Sequence, residues 1–155
     1  MKNQEFSLPL VAEIQIQYRP TIKISERPKI ISSNFAYELF LNSWNQDLIS
    51  LQEEFKIMLL NNSNRVVGIY NVSKGGITGT LVDVRILFAT ILKAAATGII
   101  LAHNHPSTTL TPSEADKVLT DKIKNAAALF DIKVLDHLII TPDAYLSFAD
   151  EGLLF

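Results

Sequence analysis

Two histidines separated by one residue, His103 and His105, are the residues of this sequence best suited to chemistry. They follow the apolar run 98–102, which has the length of a strand, so both side chains leave the strand on the same side. Asp116 is the natural third ligand, because it lies near the start of the next predicted helix, where Ser113 shares its face. Two imidazoles and one carboxylate suit Zn²⁺ and leave the fourth tetrahedral position for water.

A hydrolytic zinc site also needs a base for the proton of that water and a donor for the developing oxyanion. Ser113 is placed for the donor role. Two candidates for the base, Glu53 and Glu54, stand just before the strand predicted from Phe55. Because successive side chains of a strand point to opposite faces, at most one of the two faces the metal.

An isolated His-x-His pair is more often a surface or hydrogen-bonded feature than a pair of metal ligands. Here the pair is followed by proline and then, at fixed distances, by Ser113 and Asp116. Average residue usage gives this combination a chance probability on the order of one in 10⁵ for a chain of this length. The combined pattern therefore favours a metal site.

The elements that must position these residues follow from the spacing of apolar side chains. Alternation over residues 13–18 and 21–24 predicts one or two half-buried strands. Helical spacing over residues 33–44 predicts a helix of roughly three turns, capped by Ser33 or Asn34. The N-terminal part of the chain should thus contribute strands and then one helix.

The middle of the chain predicts a hairpin and a buried helix. Residues 55–60 and 65–72 are apolar runs joined by an Asn- and Ser-rich turn, which is typical of a hairpin. Helical spacing then runs from Asp83 to Gly98, where glycine is expected just beyond the helix end.

The last third predicts the helix that carries Asp116. Thr111, Pro112 and Glu114 match a capping box with proline at the first helical position, so a helix is expected over residues 112–130. Two further strands are expected at residues 132–141 and 145–148. Strands and helices mixed with a hairpin indicate an α+β (or α/β-like) fold, with a mixed β-sheet flanked by helices.

Composition restricts the function further. The chain has 155 residues, 48% of them hydrophobic, no cysteine, and 14 basic against 16 acidic side chains. The absence of cysteine excludes a thiolate metal site or a cysteine nucleophile. The absence of an excess of basic residues disfavours direct nucleic-acid binding. The longest apolar run, 91–102, contains Lys93 and is too short for a membrane span. Without a recognisable secretory signal, we expect a cytoplasmic protein.

The site residues resemble the signature of the JAMM (MPN+/JAB) metalloprotease domain: a glutamate, His-x-His, seven residues, Ser, two residues and Asp. The stretch from His103 to Asp116 reproduces this spacing without a gap. The sequences at residues 102–107 (AHNHPS) and 111–116 (TPSEAD) are similar to those of the RadC-like branch of this family, as is LDHLI at residues 135–139. One departure is Thr108, which stands where relatives have a loop glycine.

The resemblance implies a JAB/MPN (cytidine-deaminase-like) domain, assigned to residues 33–155, after an N-terminal strand extension at residues 1–32. It implies one Zn²⁺ per chain. The ligands it implies are His103, His105 and Asp116.

The same resemblance places Ser113 on the oxyanion side and selects Glu53 over Glu54 as the base. His137 is then expected in a structural role, or supporting the site together with Asp136, rather than as a fourth ligand.

The activity implied is cleavage of an amide bond in a peptide or isopeptide-linked protein by a zinc-activated water. The alternative is a DNA-repair or mobile-element accessory protein that keeps the metal site but acts through DNA or a protein partner. Relatives of the DNA-repair-named type carry a helix-hairpin-helix segment, and nothing in residues 1–52 resembles one. That difference weakens the expected link to DNA. An inactive scaffold is disfavoured because the implied ligands are intact.

Overall fold

A computed structural model describes residues 10–17 and 19–154. Its strands are β1 Glu54–Leu60, β2 Val66–Lys74, β3 Gly98–Asn104, β4 Lys133–Ile140 and β5 Tyr145–Ser147. They form one sheet in the order β2-β1-β3-β4-β5. β3 and β4 are parallel, whereas the other neighbours are antiparallel. The predicted hairpin and the mixed sheet are both confirmed.

Three helices flank the sheet: α1 Ser33–Ser43, α2 Val84–Lys93 and α3 Glu114–Ala128. The two central strands, β1 and β3, are buried along their whole length, because helices cover both faces. The first core cluster includes Phe55, Ile57, Leu87, Ile91, Leu101 and Ile123, from β1, β3, α2 and α3. The second includes Phe40, Trp44, Met58, Leu60, Ile100 and Leu138, from α1 and the residue after it, β1, β3 and β4. The α+β class is confirmed. None of the helices in the described ranges is long and apolar enough to cross a bilayer.

The predicted N-terminal strands are wrong for the residues that the structure describes. Residues 10–17 and 19–23 contain no strand, and Ile14 and Ile16 are 89% and 90% exposed. Tyr18 lies outside the described residues. Alternating polar and apolar side chains suit the two faces of a strand, but a strand also needs a neighbouring strand for its backbone hydrogen bonds. No described strand pairs with this segment. The division at residues 32 and 33 stays a prediction.

Two predicted helix ends are displaced. The amide of Phe35 donates to Ser32 Oγ (3.1 Å), so Ser32 rather than Ser33 or Asn34 caps α1. α2 ends at Lys93, and the left-handed residue beyond it is Ala95 (φ 51°). Gly98, expected in that role, opens β3 instead.

α3 starts two residues later than predicted. Its cap is Ser113, whose Oγ accepts from the amide of Asp116, while the Asp116 carboxylate accepts from the amide of Ser113. Thr111 and Pro112 remain in the preceding loop. The capping box is therefore present, but it consists of the two residues also expected at the site.

Candidate metal centre

The register of β1 and β3 brings three candidate residues together at one end of the sheet. Phe55 pairs with His103, so Glu53, just before β1, lies beside the end of β3 that carries both histidines. One possible ligand atom from each of Glu53, His103 and His105 lies within 4.8 Å of the others. The Nε2 atoms of the two histidines are 2.9 Å apart. These groups can share one metal ion.

The start of α3 adds the fourth candidate. Asp116 Oδ1 lies 3.4 Å from His103 Nε2, and Asp116 Oδ2 lies 3.7 Å from His105 Nε2. The same Oδ2 accepts from the amide of Ser113 at 2.8 Å. The helix cap thus holds the carboxylate against the imidazoles.

The spacing of these atoms fits a tetrahedral metal. Zinc–nitrogen bonds of about 2.0–2.1 Å at tetrahedral angles separate neighbouring ligand atoms by about 3.3 Å. The two Nε2 atoms are 2.9 Å apart, and the nearer carboxylate oxygen of Asp116 is 3.4 Å from Nε2 of His103 (Oδ1) and 3.7 Å from Nε2 of His105 (Oδ2), all close to this value. Two imidazole nitrogens and one carboxylate are also donors that zinc accepts. The residues present therefore fit a metal ion of this kind.

The hydrogen bonds of His105 leave one of its nitrogens available. Its Nδ1 lies 2.6 Å from the carbonyl oxygen of Thr109. A carbonyl can only accept, so Nδ1 carries the proton of the neutral ring and Nε2 keeps its lone pair. This tautomer is assigned from the hydrogen-bond partner.

The charges at the site favour a cation. The neighbouring Asp116 carboxylate raises the pKa of His105, and burial opposes this effect. Burial alone would raise the pKa of Asp116, but the neighbouring imidazoles of His103 and His105 outweigh burial and hold that pKa well below its ordinary value. Asp116 therefore stays ionised, and positive charge beside it is stabilised.

Glu53, and not Glu54, faces the histidines. Burial raises the pKa of Glu53, an effect that His103 and His105 partly oppose. The Glu54 carboxylate points to the opposite face, where it accepts from Asn71 Nδ2 at 3.2 Å. The placement agrees with the residue that the resemblance selected, whereas the role of Glu53 stays a prediction.

Asn104, the residue between the two histidines, was missed by sequence reasoning. It is fully buried on the opposite face, where its Nδ2 donates to the carbonyls of Ile49 and Gln52 at 2.7 and 2.8 Å. Its Oδ1 accepts from the amide of Glu54 at 2.7 Å. Asn104 therefore fixes the backbone on both sides of Glu53. Strand alternation could have shown that its side chain points away from the metal.

His137 lies behind His103 on β4 and is fully buried. Its Nε2 is 2.8 Å from His103 Nδ1, and its Nδ1 is 2.6 Å from Thr120 Oγ1. The expected association with Asp136 does not involve the imidazole, because the Asp136 carboxylate accepts from Ser147 Oγ on the other face. Thr120, which the sequence gave no reason to select, is the second partner of the ring.

An open cleft runs along the candidate centre. One wall is the loop after β2, and the other is the loop that joins β3 to α3. The lining residues are Glu53, Ile77, Thr78, Gly79, Thr80, His105, Pro106, Ser107, Thr109, Thr111, Ser113, Ala115 and Asp116. The described lining is thus rich in hydroxyl groups and contains neither lysine nor arginine.

This mixed sheet, with a possible metal cluster at the end of its central strands, is consistent with a JAB/MPN domain. Residues 30–153 match the protein family described as "RadC-like JAB domain". The chain belongs to that family.

Relatives named UPF0758 protein support the same family. The chain is 46% identical over 150 residues to one from Flavobacterium johnsoniae, covering 95% of this chain and 63% of the relative. It is 41% identical over 150 residues to one from Porphyromonas gingivalis, covering 96% of this chain and 65% of the relative. A third, from Symbiobacterium thermophilum, is 42% identical over 102 residues, which is 66% of this chain and 44% of the relative. The chain therefore spans less than two thirds of the length of these relatives.

Proposed function

We propose that this protein is a zinc-dependent hydrolase that cleaves an amide bond in a peptide or an isopeptide-linked protein. The observation that carries the proposal is the convergence of two imidazole nitrogens and the Asp116 carboxylate at separations of 2.9, 3.4 and 3.7 Å. Glu53 faces this cluster from the wall of an open cleft. Membership in a RadC-like JAB family supports the proposal.

In this proposal His103, His105 and Asp116 hold the metal. Bound Zn²⁺ supplies Lewis acidity, which makes water a nucleophile at neutral pH and polarises a carbonyl group. The remaining chemistry belongs to side chains of the cleft.

Glu53 is proposed as the general base and then the general acid. Burial raises the pKa of its carboxyl, which brings it closer to the neutral range where a group can both accept and release a proton. The carboxyl would take a proton from water and deliver it to the leaving nitrogen of the amide.

Ser113 is proposed to stabilise the negative charge that develops on the carbonyl oxygen. Its Oγ accepts from the amide of Asp116, so its hydroxyl proton remains available to a substrate in the cleft. A hydrogen-bond donor at this place would stabilise the transition state more than the ground state.

The lining of the cleft favours a neutral backbone as substrate. Side chains such as Thr78, Thr80 and Ser107 offer hydrogen bonds to peptide groups, and the described lining has neither lysine nor arginine. Recognition of a nucleic-acid backbone usually depends on lysine and arginine.

The first test is the metal content of protein purified without added metal. Elemental mass spectrometry should find about one zinc per chain in the wild type, as expected for a site with three protein ligands. The His103→Ala/His105→Ala variant should contain none, while near-ultraviolet circular dichroism of the single, buried Trp44 checks that the variant is folded. A metal-free wild type that also fails to bind added zinc would contradict the proposal.

The second test separates the base from the ligands. Glu53→Gln should keep the zinc but lose hydrolysis in a screen of peptide and isopeptide substrates. Glu54→Gln is the matched control, because the neighbouring side chain points to the other face and should leave both properties intact. Equal hydrolysis by the Glu53 variant and the wild type would eliminate the assigned base.

A further inference from the structure

His137 is fully buried and has no part in the proposed chemistry, yet both of its ring nitrogens have partners. Its Nε2 is 2.8 Å from His103 Nδ1, and its Nδ1 is 2.6 Å from Thr120 Oγ1. Thr120 Oγ1 is in turn 2.6 Å from the main-chain carbonyl oxygen of Asp116. A continuous row of hydrogen bonds thus joins the backbone of one proposed ligand to the ring of another.

Only one direction of donation is possible along this row if His137 is neutral. The carbonyl oxygen of Asp116 can only accept, so the Thr120 hydroxyl donates to it. The hydroxyl has one proton, which leaves only lone pairs for His137 Nδ1, and this nitrogen must carry the ring proton. His137 Nε2 then accepts, and His103 Nδ1 donates to it.

Burial of His137 favours the neutral form that this direction requires. A protonated imidazole would be enclosed beside His103 with no carboxylate among its hydrogen-bond partners, and an unpaired buried charge is costly. The row of hydrogen bonds therefore ends with a proton on His103 Nδ1, which donates to His137 Nε2.

We propose that Thr120 and His137 are positioning residues that select this tautomer of His103 and so direct its Nε2 lone pair at the metal. This inference rests on the proposed function, because it assumes that His103 is a metal ligand.

The selected tautomer has a consequence for metal binding. His105 also carries its proton on Nδ1, where it donates to the carbonyl of Thr109. Both rings then leave Nε2 as the nitrogen that can bind the metal, and the two Nε2 atoms lie 2.9 Å apart. Because each Nδ1 already carries a proton, each ring offers Nε2 to a metal ion without a change of tautomer.

The test compares two substitutions of Thr120, which is only 2% exposed. Thr120→Val keeps the shape but removes the acceptor for His137, whereas Thr120→Ser keeps the hydroxyl. Partners of metal-bound histidines typically change metal affinity by about 10–100-fold. Zinc titrations against a competing chelator should therefore show a loss of that size for the valine variant, and a serine variant within about threefold of the wild type.

A spectroscopic measurement separates positioning from simple packing. Nitrogen NMR of the metal-free full chain distinguishes protonated from bare ring nitrogens. Wild type and Thr120→Ser should carry the proton on Nδ1 of both His103 and His137, whereas Thr120→Val should shift the His103 proton wholly or partly to Nε2. A packing role alone would change stability in urea without changing the tautomer. If Thr120→Val does not fold, Thr120→Ala gives the same comparison.

The inference is overturned if the valine variant binds zinc as tightly as the wild type, or if wild-type His137 has its proton on Nε2. A wild type that binds no zinc would instead overturn the proposed function. In that case the ring-nitrogen spectra still decide whether Thr120 and His137 set the tautomer.

Discussion

Asn104 provides the sharpest test of how the fold holds Glu53. Its side chain makes hydrogen bonds of 2.7, 2.8 and 2.7 Å to the carbonyls of Ile49 and Gln52 and the amide of Glu54, and only the bond to Gln52 is partly rather than fully buried. Asn104→Ala removes all three partners and leaves those backbone groups unpaired. We expect a large loss of stability.

The magnitude follows from the number of groups left without a partner. An unsatisfied buried donor or acceptor costs about 1–3 kcal/mol, so two buried groups and one partly buried group should together lower the free energy of unfolding by about 3 kcal/mol. Small proteins have urea m-values of about 1–3 kcal/mol per M, so the unfolding midpoint should fall by about 1–3 M.

Urea unfolding followed by tryptophan fluorescence measures this change directly. The single tryptophan, Trp44, is 3% exposed and belongs to the same core cluster as Ile49, so it reports on the affected region. Asn42→Ala is the matched control, because Asn42 is exposed on α1 and its loss should change stability by less than about 0.5 kcal/mol. A loss below about 1 kcal/mol for Asn104→Ala, at unchanged m-value, would refute the reasoning.

Three further predictions concern the backbone around the helices and the site loop. Thr108 has a φ of 66°, in the left-handed region. This conformation costs a residue with a side chain about 1–2 kcal/mol, whereas the greater flexibility of glycine in the unfolded chain costs about 0.5–1 kcal/mol. Thr108→Gly should therefore raise the free energy of unfolding by about 0.5–1 kcal/mol. Ala95 (φ 51°) follows α2, and Ala95→Gly should stabilise by a similar amount for the same reason. Ser32 caps α1, and Ser32→Ala should destabilise by about 1 kcal/mol in urea.

Each of these predictions has a control at a nearby position. Thr109→Gly, at a residue without positive φ, should destabilise, and a gain equal to that of Thr108→Gly would contradict the strain argument. Asn34→Ala should lower the free energy of unfolding less than Ser32→Ala. The opposite order would indicate that Asn34, as predicted from the sequence, caps α1. If Ala95→Gly leaves the midpoint of thermal unfolding unchanged or lowers it, the left-handed conformation of Ala95 does not cost the stability that we infer.

The sequence predicted those parts of the candidate centre that are close together along the chain. His103, His105, Ser113 and Asp116 lie within one strand, loop and helix start, so their spacing alone brings them near one another. Glu53 is different, because its approach depends on the pairing of Phe55 with His103 across two strands. Residue types alone left Glu53 and Glu54 equal, and the family resemblance was needed to choose.

Other features depend on tertiary packing that a local pattern does not contain. The sequence predicted Thr111 as the cap of α3, whereas the cap in the structure is Ser113, whose capping box holds Asp116 against the imidazoles. Thr120 meets His137 only because α3 packs on β4. The N-terminal alternation lacked information of the same kind, since a strand pattern does not supply its own partner.

The side chains of Ser113 and Asp116 both cap α3 and belong to the candidate centre, so the first turn of α3 and the centre depend on each other. Helix ends fray more readily than whole domains unfold. When this turn opens, the carboxylate loses the amide that orients it, and the imidazoles lose their acidic neighbour in the same event. The candidate centre would then lose its geometry at a lower temperature than the one at which the sheet unfolds. The melting temperature of the whole domain therefore overstates the temperature up to which the centre stays intact.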